Sequence, residues 1–377
     1  MPVPRYGAAA LSDLLPSVLA ALGVPGEPNT LGLAPAPRAC VLLVDGLGLE
    51  LLRAHPAAAP YLTRYLTGLP GSGETRVLTA GFPATTATSL GSVGTGLPPG
   101  GHGLVGYLVA VPRAGRLMNS LRWDPEVDPE LWQPQATVFE RAAAAGVAVS
   151  QVAPGAFQRS GLTRAALRGT RYVAAESGGE RVATAAGMLS ASERALVYVY
   201  VGDLDATGHR NGCGSDAWRA QLGQLDLMVA QLAERLPAGA VLYVTADHGM
   251  VDVAPERRVD FDREPRLSEG VLLLGGEARA RHVYTRPGAA DDVLAAWRER
   301  LGDRMWVVSR DEAVAGGWFG PAVTDWVLPR IGDVLAAAYD DVAVVTPADE
   351  PLESALIGHH GSMTPAEQCV PLLEIRG

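Results

Sequence analysis

Three uninterrupted apolar runs each lead into an aspartate, and this repetition constrains the fold more than any other feature of the chain. Cys40-Val-Leu-Leu-Val runs into Asp45-Gly46, Leu196-Val-Tyr-Val-Tyr-Val into Gly-Asp-Leu-Asp205, and Ala240-Val-Leu-Tyr-Val-Thr-Ala into Asp247-His248-Gly249. A fourth run, 147–152, carries no obvious chemistry. Runs without polar alternation suit strands covered on both faces, as in a parallel sheet. Helical patterns fall between them at 137–145, 182–190 and 215–235. Such alternation predicts an α/β, doubly wound core with a mostly parallel central sheet flanked by helices. Ligands bind such sheets beyond the carboxyl ends of the strands, so Asp45, Asp205 and Asp247 are predicted to converge at one edge.

From about residue 254 to about 347 the pattern changes. Strand-like stretches at 281–285, 305–309 and 341–346 accompany helical ones at 289–301 and 311–315, none with clustered acids and histidines. This predicts a smaller inserted α+β cap at 254–347, with 1–253 and 348–377 forming the metal-binding core.

A net charge of −10 argues against a surface for nucleic-acid polymers, whose affinity rests on basic patches. It does not exclude a small anionic substrate, because bound cations would set the local field. All 31 basic residues are arginine, which removes lysine as phosphate binder, Schiff-base former or general base. The odd set Cys40, Cys213 and Cys369 lacks CxxC spacing and predicts reduced thiols in a cytoplasm. The segment 1–21 is interrupted by Pro4, Arg5, Asp13 and Pro16 and does not read as a signal peptide. No apolar run approaches the roughly 20 residues needed to span a bilayer, so no membrane partner is expected. Oligomeric state is not readable from the sequence.

Aspartate and histidine at strand ends are suitable ligands for zinc or manganese. Asp205-Ala-Thr-Gly-His209 spaces two ligands four apart, across a loop or a helix's first turn. Asp247-His248 puts a carboxylate and an imidazole on consecutive residues, and His360-Gly361 adds another imidazole. A single strand-end Asp is more often a cap or turn former. Yet three of only seven histidines fall in these Asp/Gly-rich motifs, so the set reads as a metal site. A second signal is Phe82-Pro-Ala-Thr-Thr86-Ala-Thr-Ser-Leu-Gly-Ser-Val-Gly-Thr95-Gly, a hydroxyl-rich turn opening a segment of small residues. Taken alone, Thr85, Thr86 and Thr88 read as caps and packing residues. Beside a metal site, a threonine hydroxyl at a helix N-terminus becomes a candidate nucleophile, activated by a dication and close to unpaired backbone N–H groups.

In this order the motifs resemble the alkaline phosphatase superfamily, and most closely its nucleotide pyrophosphatase/phosphodiesterase branch. They are Asp45; Thr86 with Thr95-Gly96 and His102-Gly103; Asp205-x-x-x-His209; Asp247-His248-Gly249; and His360-Gly361. The likeness covers roughly 40–110, 195–255 and 355–373. It implies an alkaline-phosphatase-like core in which Asp205, His209 and His360 hold one divalent ion, Mn or Zn. Asp45, Asp247 and His248 would hold a second, which also binds the Thr86 oxygen. Thr86 is chosen as nucleophile because it lies nine residues before Thr95, the family's spacing, with Thr85 as fallback. The branch often has an asparagine five residues after the first His-Gly histidine; Tyr107 stands there and is a candidate substrate contact. His102 and His359 are expected to support the site without ligating. Trp123 and Trp132 lie downstream and could stack on a base, although core or rim packing is the commoner role.

Spacing and Ala/Arg-rich character also resemble the AtaC-type cyclic di-AMP phosphodiesterases of actinobacteria. That implies hydrolysis of cyclic di-AMP to pApA, and on to AMP, through a phosphothreonine. Alternatives within the superfamily are a nucleotide pyrophosphatase, a phosphomonoesterase, a phosphonate hydrolase and a phosphoglycerate mutase. No arginine directly flanks Thr86, which favours a diester, whose single negative charge needs less compensation. A non-catalytic nucleotide-binding sensor is the alternative of another class; retention of six ligands and a hydroxyl nucleophile argues against it.

Overall fold

The computed structural model of the chain describes residues 2–66 and 75–377. Residues 1 and 67–74, inside the expected core span 1–253, lie outside the described residues, and 67–74 also fall in the resemblance span 40–110. Seven strands form the central sheet: β1 (Arg38–Val44), β2 (Thr75–Thr79), β3 (Ala148–Ala153), β4 (Arg171–Ala174), β5 (Ala195–Val201), β6 (Ala240–Ala246) and β7 (Cys369–Arg376). Their order is β2-β7-β6-β1-β5-β3-β4. The four apolar runs are the four strands β1, β3, β5 and β6, all mutually parallel, and β7 alone runs against its neighbours β2 and β6. Cys40 to Val44 are fully buried, the reason that run shows no alternation.

Register places the site. Val44 pairs with Val201 on one side and Ala246 on the other, so β5, β1 and β6 end level with one another. The acids that follow them therefore emerge at one edge. Helices cover the sheet: Gly178–Ser190 packs on β3 and β5, Val138–Ala144 on β3, and Leu49–Ala54 and Pro60–Leu66 on β7. Thr137 with Glu140, and Ser177 with Glu180, form capping boxes that fix two of these starts.

A second, antiparallel sheet has the order Met305–Ser309, Val334–Ala338, Ala280–Thr285, Val271–Glu277, Leu108–Val111, Arg116–Asn119. The hairpin 108–119 thus joins strands that lie over 150 residues later in the chain, with Gly276 opposite Leu108. The strand expected at 341–346 is shorter, Ala343–Val345, and pairs with Arg258–Asp260 outside this sheet. Two sheets meet through a buried ion pair: Arg279 makes two 2.8 Å bonds to Glu367, with side-chain exposures of 2% and 0%. Glu367 in turn accepts from Ser362 N–H at 3.0 Å, and its carbonyl accepts from Gly249 N–H at 2.7 Å.

Breaking this pair from one side leaves a buried charge without compensation. Arg279→Ala is expected to cost about 3–5 kcal/mol, whereas Arg266→Ala, which breaks an exposed pair with Glu299, should leave the denaturation midpoint unchanged. Equilibrium denaturation of both variants checks the contrast; equal effects would contradict the linking role of Arg279.

Candidate functional site

Asp45 directly follows β1, and its N–H donates to Val201 O at 2.9 Å, which ties the turn to β5. Gly46 then takes φ +74°, and its N–H donates to Asp247 Oδ1 at 3.1 Å. A Cβ at this position would lie 3.0 Å from the Asp205 Cβ, so only glycine lets the two turns approach. Asp205 and His209 occupy successive turns of α1 of this site, the helix Asp203–Asn211, which resolves the loop-or-helix alternative in favour of a helix. Asp247 and His248 leave β6, and Gly249 packs so closely that a Cβ would sit 2.0 Å from Ala366 O. His360 arrives on the return segment, held where Gly361 O accepts from Ala84 N–H at 2.9 Å.

The edge gathers two groups. Asp205, His209 and His360 offer one ligand atom each within 4.8 Å of one another, and so do Asp45, Asp247 and His248. The Thr86 hydroxyl belongs beside the second group: Oγ1 lies 3.5 and 3.4 Å from the Asp45 oxygens and 3.3 Å from His248 Nε2. All seven residues singled out from sequence are thus brought together.

Ring orientation explains what the groups can do. His248 Nδ1 faces Gly249 O at 3.1 Å, His209 Nδ1 faces Gly358 O at 2.8 Å, and His360 Nδ1 faces Ala84 O at 3.0 Å. A carbonyl only accepts, so each Nδ1 carries the proton and a neutral ring turns its Nε2 lone pair elsewhere. For His248 that lone pair points at Asp45 Oδ1, 3.3 Å away, and Asp247 Oδ2, 3.5 Å away. Acceptors facing acceptors require a proton or a cation between them. Asp205 Oδ1 and Asp247 Oδ2 are buried with no hydrogen-bond donor, so the residues present fit a pair of divalent ions.

Protons take that place in the metal-free protein. Burial pushes the Asp247 carboxyl up to about 8, and the Asp45 charge adds to the rise. Asp205 is raised by the same two causes. Burial would raise Asp45 too, but its bond and charge interaction with His248, then the Tyr200 hydroxyl, hold it low. Burial opposes charge on His248, yet the Asp247 and Asp45 carboxylates raise it well above the usual imidazole value.

The nucleophile candidate opens α2 of this site, the helix Thr86–Thr95, with Thr85 as the extended N-cap residue. This helix is entirely buried, and a Cβ on Gly94 would meet Ala166 O at 1.8 Å, so its small residues serve close packing. Ser89 Oγ donates to Asp247 O at 2.7 Å and locks the helix to the β6 turn. His102 lies apart from both groups, accepting from Leu104 N–H at 3.1 Å through Nδ1. Burial drives its pKa down to about 3, as it does for His359. Tyr107 donates its hydroxyl to Glu353 at 3.1 Å and is a member of neither ligand group.

Two cavities flank Thr86, and Thr86, Leu121 and Asp205 line both. One, of about 270 Å³, lies toward the second sheet and includes Tyr107, Glu277, Arg281 and Glu353. The other, of about 390 Å³, includes Gln151, Phe157, Arg181 and Tyr200. Trp123 and Trp132 line neither: the Trp123 indole donates to Val127 O, and Trp132 carries the Arg330 guanidinium 3.5 Å from its ring centre. Sequence reading missed Tyr200, whose hydroxyl donates to Asp45 Oδ2, although its place at the end of β5 was a usable signal. It also missed Glu277, which has no motif around it.

Residues 39–363 match the family described as type I phosphodiesterase / nucleotide pyrophosphatase. The chain belongs to this family. The fold agrees: murine ectonucleotide pyrophosphatase/phosphodiesterase 5, solved with AMP, superposes with a TM-score of 0.68 at 18% identity, over 89% of this chain and 87% of that one. Phosphonoacetate hydrolase from Sinorhizobium meliloti 1021, solved with phosphonoformate, gives 0.68 at 19% identity over 91% of each chain. Among curated proteins, the phosphopentomutases of Anaeromyxobacter dehalogenans 2CP-1 and Anaeromyxobacter sp. K are each 31% identical over 188 residues. That alignment covers 49% of this family member and 46% of each mutase, so the chain spans about half the length of the curated relatives it matches. No helix among the described residues is long and apolar enough to cross a membrane.

Asp247, His248 and His360 all hold protons more tightly folded than unfolded, so the metal-free protein should lose stability as pH rises from about 6.5 toward 8. The depressed His102, His282 and His359 act in the opposite sense only below about pH 6.5. A fall of at least roughly 2 kcal/mol across that window, the linkage of one of these groups alone, is expected with chelator and should vanish or reverse with excess Zn or Mn. Denaturation curves at the two pH values check it; a chelated protein more stable at pH 8 would contradict it.

Proposed function

We propose that this family member is a two-metal phosphodiesterase that hydrolyses a small nucleotide diester, cyclic di-AMP first among candidates, through a phosphothreonine on Thr86. The observation that carries the reading is the place of the Thr86 hydroxyl, beside Asp45 and His248 and at the boundary of two cavities. Asp205, His209 and His360 would hold one divalent ion, and Asp45, Asp247, His248 and Thr86 the other. Bound Zn or Mn would supply the positive charge that lowers the hydroxyl pKa and stabilises the phosphoryl oxygens.

Thr86 Oγ1 attacks phosphorus and the bond from phosphorus to one arm of the diester breaks. The hydroxyl proton is released to water and the departing oxygen takes one up, because the Asp45 oxygens and His248 Nε2 would be committed to the second ion. Water then enters from the opposite side, breaks the Oγ1–P bond and restores the hydroxyl. A cavity on each side suits a substrate with two substituents on phosphorus. The two arginines that line them are already engaged, Arg281 with Glu350 and Val344 O, Arg181 with Asp203 and two carbonyls. That leaves little free cationic charge for a monoester dianion. We assign Tyr107 to the wall that contacts one arm, and residues 254–347 to a cap over the same cavity. The cyclic di-AMP choice rests on the sequence resemblance, and the free thiols of Cys40, Cys213 and Cys369 support a cytoplasmic setting.

Thr86→Ala should lower turnover by at least about 10³-fold, in the range seen when a nucleophile is removed, while retaining bound metal. A near-normal rate would exclude Thr86 as nucleophile. Asp247→Asn should lose metal from the second group along with most activity. With Mn or Zn added, a panel of cyclic di-AMP, cyclic di-GMP, pApA, ATP and p-nitrophenyl esters should show diester cleavage that a chelator abolishes. Cleavage confined to monoesters would overturn the substrate class; binding without any cleavage would point to a sensor.

A further inference from the structure

Among the described residues outside the two ligand groups, the cavity on the second-sheet side has one acidic wall residue whose hydrogen bonding is half complete. Glu277 ends the strand Val271–Glu277 and reaches across from the second sheet, its side chain 10% exposed. Its Oε2 lies 3.1 Å from His360 Nδ1. Its Oε1 is buried and has no hydrogen-bond donor, and the residue lines the cavity, so a small rotation of the carboxylate would present this oxygen to an occupant. Apart from the ligand Asp205, the other carboxylates on this wall are occupied: Glu350 takes Arg281, and Glu353 takes the Tyr107 hydroxyl. Glu277 is also outside both ligand groups. Ser354 Oγ, on the same cavity, is likewise buried without a partner.

A buried carboxylate oxygen accepts and cannot donate, and leaving it unmet costs more than a typical hydrogen bond gains. We propose that Glu277 is a specificity-determining residue, whose Oε1 accepts a hydrogen bond from a hydroxyl or amino group on the substrate arm occupying this cavity. The inference deepens the phosphodiesterase reading and rests on it. It selects a diester whose arm carries a donor near phosphorus, such as a sugar hydroxyl. Arms offering acceptors alone, or a further anionic group, meet an acceptor and are disfavoured, as polar sites reject analogues that leave their groups unpaired.

Symmetric diesters test this without regard to which arm enters which cavity. Dissociation constants for bis(2-hydroxyethyl) phosphate and bis(2-methoxyethyl) phosphate are measured by calorimetry on the Zn- or Mn-loaded protein. The hydroxyl compound should bind at least about tenfold more tightly, the scale of a hydrogen bond to a charged group. In Glu277→Gln the amide carbonyl must face the His360 N–H, which turns the NH₂ into the cavity. Either compound then accepts from it, and the ratio should collapse to within about twofold. Glu277→Ala, which removes both oxygens, should lower the ratio too. A wild-type ratio near one, or a ratio unchanged in these variants, overturns the proposal; a role confined to orienting His360 would weaken both compounds alike. Failure of the loaded enzyme to turn over bis(p-nitrophenyl) phosphate, with the ratio intact, would instead refute the phosphodiesterase reading and leave the Glu277 assignment standing.

Discussion

Two buried carboxylates at the level ends of adjacent parallel strands, with a third 15% exposed on the helix beside them, dominate this molecule. Asp45 and Asp247 are 3% and 0% exposed, and Asp205 enters the same edge from the helix after β5. Like charges held this closely out of water are strongly unfavourable unless protons or cations intervene. Much of the surrounding structure answers that repulsion. Three imidazoles are turned so that their lone pairs face the acids, and the Tyr200 hydroxyl and Gly46 N–H each donate to one of them. The chemistry proposed for Thr86 depends on the same concentration of negative charge, because that is what would draw two dications to one hydroxyl.

The scaffold fixes this arrangement by backbone constraints more than by side-chain packing. Equal register of β5, β1 and β6 sets where the acids emerge. Close approaches at Gly46 and Gly249 set how near the turns come. Glu367 joins the β6 turn and the His360 segment to Arg279 of the second sheet, so the two sheets share one polar link beneath the site. Through Glu277, the second sheet also reaches the cavity itself.

The core was legible because its strands are buried on both faces and its acids follow them directly. Two-sided burial erases polar alternation, and the run ends then announce the sheet edge. The rest was hidden for identifiable reasons. Val334–Ala338 sits between two strands of the second sheet, yet its Val-Leu-Ala-Ala-Ala composition has little β propensity. The hairpin 108–119 pairs with a strand that local patterning cannot locate. Tyr200 read as one more apolar residue of β5, and Glu277 acquires meaning only when folding carries it to His360. Among aromatics, Trp123 and Trp132 drew notice by size, whereas Phe157 and Tyr200 line the cavity beside Thr86. Family membership, spanning 39–363, agrees with the core motifs; substrate identity depends on cavity walls assembled from distant segments.

The central claim is that two divalent ions sit on these six ligands with Thr86 between the two cavities. Anomalous diffraction at the zinc edge from crystals grown with zinc tests it most directly. Two peaks are predicted, roughly 3.5–4 Å apart as in other two-metal sites, one against Asp205, His209 and His360 and the other against Asp45, Asp247, His248 and the Thr86 oxygen. A single peak, or zinc bound only elsewhere on the molecule, would contradict it.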